Sequence, residues 1–257
     1  MIKIYTLASG SSGNATYIRC GDTEFLIDAG VSRREIERKL SLLGTSLRNL
    51  SAIFITHEHS DHIKGIEMLA KYDRIPLYGA RSTLFFMKKV DPALFHVVKP
   101  CEEITLGEVT VTPFLTQHDT PMSYGYTVSY RGERYGLCTD LGQPTNAVTD
   151  ALSGCRAVIL EANYDAEMLK YGDYPPFLKE RIKSNYGHLD NRVAAKFAAF
   201  LARSGTERIL LAHLSRENNT PSAAYDTVHT YLQEEKLAVS LSVASRSELT
   251  ELIVKEC

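Results

Sequence analysis

The stretch Ile53-Phe54-Ile55-Thr56-His57-Glu58-His59-Ser60-Asp61-His62 decides the reading of this sequence. A short apolar run of strand character, Ala52–Thr56, ends there, and four potential ligands follow within six residues. Side chains two apart in an extended chain project to the same side, so His57 and His59 can offer imidazole nitrogens to one ion. The chain then turns into a helix, with Asp61 and His62 at its beginning and directed toward a second position a few ångströms away. Imidazole and carboxylate donors without thiolate suit Zn²⁺, Mn²⁺ or Fe²⁺ at a reactive site, not a structural zinc. A polar turn with solvated histidines has no need of four such residues at H-x-H-x-D-H spacing.

The surroundings of that string are those of an ordinary folded protein. The chain has 257 residues, 44% of them apolar and 23% charged, and a net charge of 29 − 31 = −2. Disorder is excluded by that balance. A global nucleic-acid-binding field is excluded as well, though a local basic patch is not. No stretch approaches the ~20 apolar residues of a membrane span. Met1-Ile2-Lys3-Ile4-Tyr5 runs straight into a strand pattern, so no signal peptide is expected and the expected location is the cytoplasm. Cys20, Cys101, Cys138, Cys155 and Cys257 are scattered, odd in number and free of C-x-x-C. They read as reduced, buried thiols. No linker or repeat divides the chain, and one domain over 1–257 is expected.

Working outward, Ile2–Leu7, Ala15–Ile18 and Glu24–Asp28 read as strands, and Ser32–Leu43 as a helix with Ser32 as N-cap and Glu35 at capping-box spacing. Ile63–Ala70 and Ser82–Lys88 read as helices around a strand at Pro76–Gly79. Glu108–Phe114, Tyr124–Tyr130 and Arg134–Thr139 are strands. Then strands at Val158–Glu161 and Arg208–Ala212 alternate with helices at Asp190–Ala202 and Ser222–Glu235. Two such halves predict an α/β fold with two mixed sheets flanked by helices. An αββα sandwich accommodates this order, although periodicity alone does not select it.

The H-x-H-x-D-H string resembles the signature of the metallo-β-lactamase superfamily, and the order of the remaining residues is similar to that family's pattern from residue 5 to 218. The resemblance implies that Asp28, in Phe25-Leu26-Ile27-Asp28-Ala29-Gly30, supports the metal loop. It implies further ligands at His118, at Asp140 in Thr139-Asp140-Leu141-Gly142, and at His213 in Leu211-Ala212-His213-Leu214. His57, His59 and His118 would then hold one ion, Asp61, His62 and His213 the other, with Asp140 shared. Asp119 competes with His118 as a ligand, and His96 and His229 read as structural. Two such ions bring a bridging water to hydroxide near neutral pH, with Asp61 or Asp140 orienting it. The bond to be hydrolysed does not follow from the fold.

Three features favour a phosphodiester. Ser9-Gly10-Ser11-Ser12-Gly13-Asn14 follows the first strand and can offer N–H groups and hydroxyls to an anion, through Ser11, Ser12 and Asn14 in particular. His188, in Gly187-His188-Leu189-Asp190, enters a helix N-terminus, where an anion is favoured. Its place is similar to that of the non-ligand His of tRNase Z, which implies a proton donor to the leaving oxygen. Lys170, Lys179, Arg181 and Lys183 interleave with Tyr164, Tyr171, Tyr174, Phe177 and Tyr186, a mixture that suits a nucleic-acid strand but is equally that of a solvated amphipathic segment.

The strings Ala8–Asn14, Glu161–Asp165, Gly187–Leu189 and His213-Leu214-Ser215-Arg216-Glu217-Asn218-Asn219 are similar to the bacterial YycJ/VicX (WalJ) branch, which is associated with a two-component cell-wall regulatory system. That resemblance implies a 5′→3′ exonuclease on DNA that uses two divalent metal ions, Mn²⁺ or Zn²⁺. Ser215 and Asn218 become candidates to bind a substrate phosphate. Three other readings stay open: a small-molecule phosphodiesterase, a thioester or lactone hydrolase, and a regulatory accessory protein with an incidental metal site.

Overall fold

Alternation in the first residues builds β1 (Ile2–Ala8), in which Ile2 and Ile4 are buried and Lys3 and Tyr5 are half-buried. The structure, a computed structural model, describes residues 1–255; Cys257, one of the expected thiols, lies outside the described residues. β1 pairs antiparallel with β2 (Ala15–Cys20), and a turn at Gly21 leads antiparallel into β3 (Thr23–Ile27). α1 (Arg33–Leu42) starts as expected: the Ser32 hydroxyl accepts the Glu35 N–H at 3.2 Å. The Glu35 carboxylate turns to Arg38 and Lys39.

β4 (Leu50–Phe54) then runs parallel to β3. The helix expected over Ile63–Ala70 is two helices, α2 (Ser60–Ile63) and α3 (Ile66–Asp73). Gly65 causes the break. Its N–H donates to the Ala29 carbonyl at 2.7 Å, and a Cβ there would lie 2.3 Å from the Val31 carbonyl oxygen. β5 (Leu77–Gly79), α4 (Arg81–Phe86), β6 (Phe95–Val97), β7 (Ile104–Leu106), β8 (Val109–Thr116), β9 (Ser123–Tyr130) and β10 (Glu133–Cys138) follow. The chain continues through α5 (Asn146–Leu152), β11 (Ala157–Glu161), α6 (Ala166–Tyr171), α7 (Pro176–Lys183), α8 (Asn191–Arg203), β12 (Arg208–Ala212), α9 (Pro221–Glu234), β13 (Ser240–Val243) and β14 (Thr250–Lys255).

The strands form two seven-stranded sheets, ordered β14-β1-β2-β3-β4-β5-β6 and β13-β12-β11-β10-β9-β8-β7. Both are mixed. Hairpin-linked strands pair antiparallel, and strands linked through helices, such as β10, β11 and β12, pair parallel.

The chain divides into two compact units. The first takes Met1–Pro113, Thr120–Tyr124 and the stretch from Ser245 onward; the second takes Phe114–Asp119 and Gly125–Ala244. In the first, Ile36 and Leu40 of α1 and Ile66 and Leu69 of α3 pack with Leu26, Ile53 and Leu77 of the sheet. In the second, Ala194, Ala195, Phe197, Ala198 and Leu201 of α8, with Ala224 and Val228 of α9, pack with Val158, Leu160, Ile209 and Leu211.

The four described cysteines are free thiols, as expected. Cys20, Cys138 and Cys155 are buried, but Cys101, in a turn before β7, is exposed, contrary to expectation. No helix among the described residues is long and apolar enough to cross a membrane.

Candidate metal centre

In the first unit the ligand string leaves the end of β4 and is braced from β3. Asp28 follows β3 directly in a left-handed conformation (φ 60°). Its carboxylate accepts the Thr56 N–H at 2.9 Å and the Thr56 hydroxyl at 2.9 Å, and lies 2.7 Å from Nδ1 of His62. The Thr56 hydroxyl oxygen is also 3.0 Å from Nδ1 of His57. Both rings therefore have Nδ1 engaged and Nε2 left as donor, the arrangement that orients metal-binding histidines. The rings of His59 and His62 lie with centroids 4.6 and 4.2 Å from that of His57. Asp61 and His62 stand in the first turn of α2, and Asp61 Oδ2 is 3.5 Å from His62 Nε2.

The β1–β2 loop closes on this string. The Asn14 N–H donates to the Asp61 carbonyl at 2.7 Å, and its Nδ2 is 3.2 Å from Asp61 Oδ2 and 3.1 Å from His62 Nε2. Its Oδ1 accepts the Gly10 N–H at 2.8 Å. Asn14 is thus buried against the ligand atoms, whereas Ser11 and Ser12 are exposed. Gly30 makes the approach possible, since a Cβ there would lie 1.6 Å from the Asp61 carbonyl oxygen.

In the second unit three strand ends deliver His118 (after β8), Asp140 (after β10) and His213 (after β12). Asp140 Oδ1 lies 3.7 Å from His118 Nε2 and 3.6 Å from His213 Nε2. Two atoms bound to one tetrahedral ion at ~2.1 Å are about 3.4 Å apart, so this carboxylate suits a position next to each imidazole. The His118 Nδ1 is 3.1 Å from the Gly187 carbonyl, which fixes Nε2 as the donor atom. Burial lowers the His118 pKa, opposed by the charge of Asp140, so its neutral, metal-binding form is favoured. Asp140 and His213 both have φ 58°. Together with Asp28 this makes three site residues in a conformation that side chains adopt at a cost, a pattern typical of functional positions.

Glu161, at the end of β11, was not anticipated as a site residue. It is fully buried, and one oxygen meets Nδ1 of His213 at 2.9 Å and Nδ1 of His188 at 2.8 Å. Its carboxylate also accepts the N–H groups of Asp140, Leu141 and Leu189 at 3.2, 3.2 and 3.1 Å. Burial raises its pKa, but the charge and hydrogen bond of His188 and the bond from His213 outweigh burial and hold it below the usual carboxylate range. The available signal was a charged residue closing a buried apolar strand, which needs partners. His188 is partly exposed, with Nδ1 taken by Glu161 and lying 3.8 Å from Asp140 Oδ1.

Other expected positions are placed as follows. Asp119 Oδ1 is 3.3 Å from His118 Nε2, and its other oxygen pairs with Arg181. Ser215 and Asn218 are buried and close the turn after His213, the Ser215 hydroxyl accepting the Asn218 N–H at 3.2 Å. His96 and His229 stack on Tyr78 and Tyr225, at 4.6 and 5.1 Å.

The donor set fits divalent cations. Every imidazole with a braced Nδ1 presents Nε2, the carboxylates supply oxygen, and Cys138 is kept a neutral thiol because burial and the charges of Glu161 and Asp140 push its pKa well up. Asp140, Glu161, His188 and His213 bring potential ligand atoms within 4.8 Å of one another. Strand-end histidines and aspartates in this order define a metal-dependent hydrolase, and the chain belongs to the family whose profile, described as Beta-lactamase superfamily domain, matches residues 23–214.

Particular relatives narrow the branch. The chain is 34% identical over 245 residues to exodeoxyribonuclease WalJ of Streptococcus pneumoniae, covering 93% of this chain and 91% of that protein. It is 34% identical over 239 residues to exodeoxyribonuclease YycJ of Bacillus anthracis, covering 91% and 90%. The crystal structure of the metallo-beta-lactamase fold protein YhfI from Bacillus subtilis superposes with a TM-score of 0.76 at 17% identity, over 98% of this chain and all of that one. The fold is therefore the metallo-β-lactamase fold that the sequence led us to expect.

Proposed function

We propose that this chain is a dinuclear metal-dependent phosphodiesterase that degrades DNA from its 5′ end. One observation supports the metal chemistry: Asp140 Oδ1 lies almost equidistant from Nε2 of His118 and Nε2 of His213, a position that suits a carboxylate coordinating beside both imidazoles. In this reading His57, His59 and His118 serve one ion, Asp61, His62 and His213 the other, and the whole chain works as one domain. The family profile supports that unity because residues 23–214 draw on both units. Two Mn²⁺ or Zn²⁺ ions bound there would supply the nucleophile and the polarisation for hydrolysis.

The chain's own residues do the rest. Asp28, through Thr56 and directly, holds His57 and His62 in the donor tautomer. Asp61 and Asp140 orient the attacking group. Glu161 fixes Nδ1 of His188, so that the opposite nitrogen delivers a proton to the leaving oxygen. Ser11 and Ser12, exposed beside Asn14, would meet a substrate phosphate in this reading, with Ser215 and Asn218 shaping the loop after His213. DNA as substrate rests on the names of the WalJ and YycJ relatives, and 5′→3′ polarity on the branch resemblance alone. A cytoplasmic location rests on the free thiols, and a link to a two-component system on the branch resemblance.

Duplexes labelled at one 5′ or one 3′ end, incubated with purified protein and Mn²⁺, test this reading. Progressive mononucleotide release beginning at the 5′ end is expected. Inertness on every polynucleotide, with turnover of a small phosphodiester, thioester or lactone, overturns it.

A further inference from the structure

We propose, on the basis of the nuclease reading above, that α7 guides the single-stranded end of the DNA, with Phe177 stacking on a base and Arg181 taking the adjoining phosphate. α7 is eight residues long and has no buried side chain. Only Leu178, Lys179 and Ile182 of it are half-buried, and it is tied down at several points. Lys179 Nζ donates to the carbonyls of Lys170 and Gly172 at 2.9 and 2.7 Å, and the His188 N–H donates to the Ile182 carbonyl at 2.9 Å.

Phe177 is 75% exposed, more than any other large apolar side chain among the described residues. Arg181 stands four residues on, so the two share one face of the helix about 6 Å apart. Arg181 pairs with Asp119 through Nε and Nη2. Asp119 Oδ1 is in turn 3.3 Å from His118 Nε2, so the guanidinium is one carboxylate away from a ligand atom. The Arg181 side chain is 58% exposed, which leaves its remaining N–H donors open to an anion. Tyr171 and Tyr186 are also exposed, and the Lys170 ammonium lies 4.6 Å from the centre of the Tyr171 ring. An unpacked ring, a tethered guanidinium and further cations on one short segment suit a strand with alternating π-faces and phosphates.

The test uses the metal-loaded full chain and a 5′-phosphorylated, phosphorothioate-linked DNA strand carrying 2-aminopurine near its 5′ end. Phe177→Ala is expected to weaken binding by roughly 5–150-fold and to abolish 2-aminopurine quenching. Phe177→Tyr should keep both. Arg181→Gln should weaken binding and flatten the salt dependence by about 0.7 in log–log slope, the loss of one phosphate contact on a single strand. Phe200→Ala, on α8, should bind as the unaltered protein does. If the unaltered protein degrades DNA and Phe177→Ala binds equally well, or binds less well with quenching intact, the role of α7 is wrong and the nuclease reading stands. If the unaltered protein neither binds nor degrades any polynucleotide, both fall.

Discussion

Asp140→Asn will lower turnover by roughly 10⁴-fold and strip the protein of bound divalent metal while leaving it folded. The substitution keeps the shape of the side chain and removes only the charge. Asparagine tolerates the left-handed backbone that Asp140 adopts at φ 58°, so the turn after β10 survives. The Asp140 N–H still donates to Glu161. What disappears is the anionic oxygen between His118 and His213, which in the proposed reading would be shared by both cations. Elemental analysis after gel filtration, circular dichroism and the DNA assay measure the three quantities separately. Full metal content with normal turnover would remove Asp140 from the centre.

His188→Ala presents the opposite combination. Turnover should fall by roughly 10²–10⁴-fold, the range of one acid or base group, with metal content unchanged. The reason is the division of labour around Glu161. His213 and His188 both lean on the same carboxylate oxygen, but His188 is the partly exposed one. After truncation Glu161 keeps the bond from His213 and the three backbone N–H groups, so the buried carboxylate remains satisfied. Turnover equal to that of the unaltered protein would make His188 a structural residue.

These two side chains also show where the sequence is readable. His57 to His62 is legible because all its donors lie within one turn of strand and helix, and spacing alone gives their directions. His118, Asp140 and His213 are single residues at strand ends, picked out only by their order in a family pattern. The structure supplies the physical reason, in left-handed backbone at Asp140 and His213 and in braced Nδ1 atoms, neither of which a one-dimensional pattern displays. Glu161 was missed because its partners lie 20 to 52 residues away and its neighbours on β11 are apolar.

The same logic governs the elements. Strands with clear alternation and helices with a buried stripe, such as α8, were expected to within a few residues. α7 went unread because a helix with no fully buried residue leaves only a short apolar period, Leu178 and Ile182, and Pro175-Pro176 reads as a break although proline suits a first helical turn. β14 was also unread. It pairs with β1 from the far end of the chain, Ile2 opposite Lys255, a contact no local pattern announces. Cys101 was misjudged because thiols are usually buried, whereas it lies in an exposed turn before β7.

Anomalous diffraction from crystals grown with Mn²⁺ tests the central claim most directly. The account predicts two manganese peaks flanking the Asp140 carboxylate, one within bonding distance of His118 and the other of His213. A single peak, or peaks that leave Asp140 uncoordinated, would contradict it.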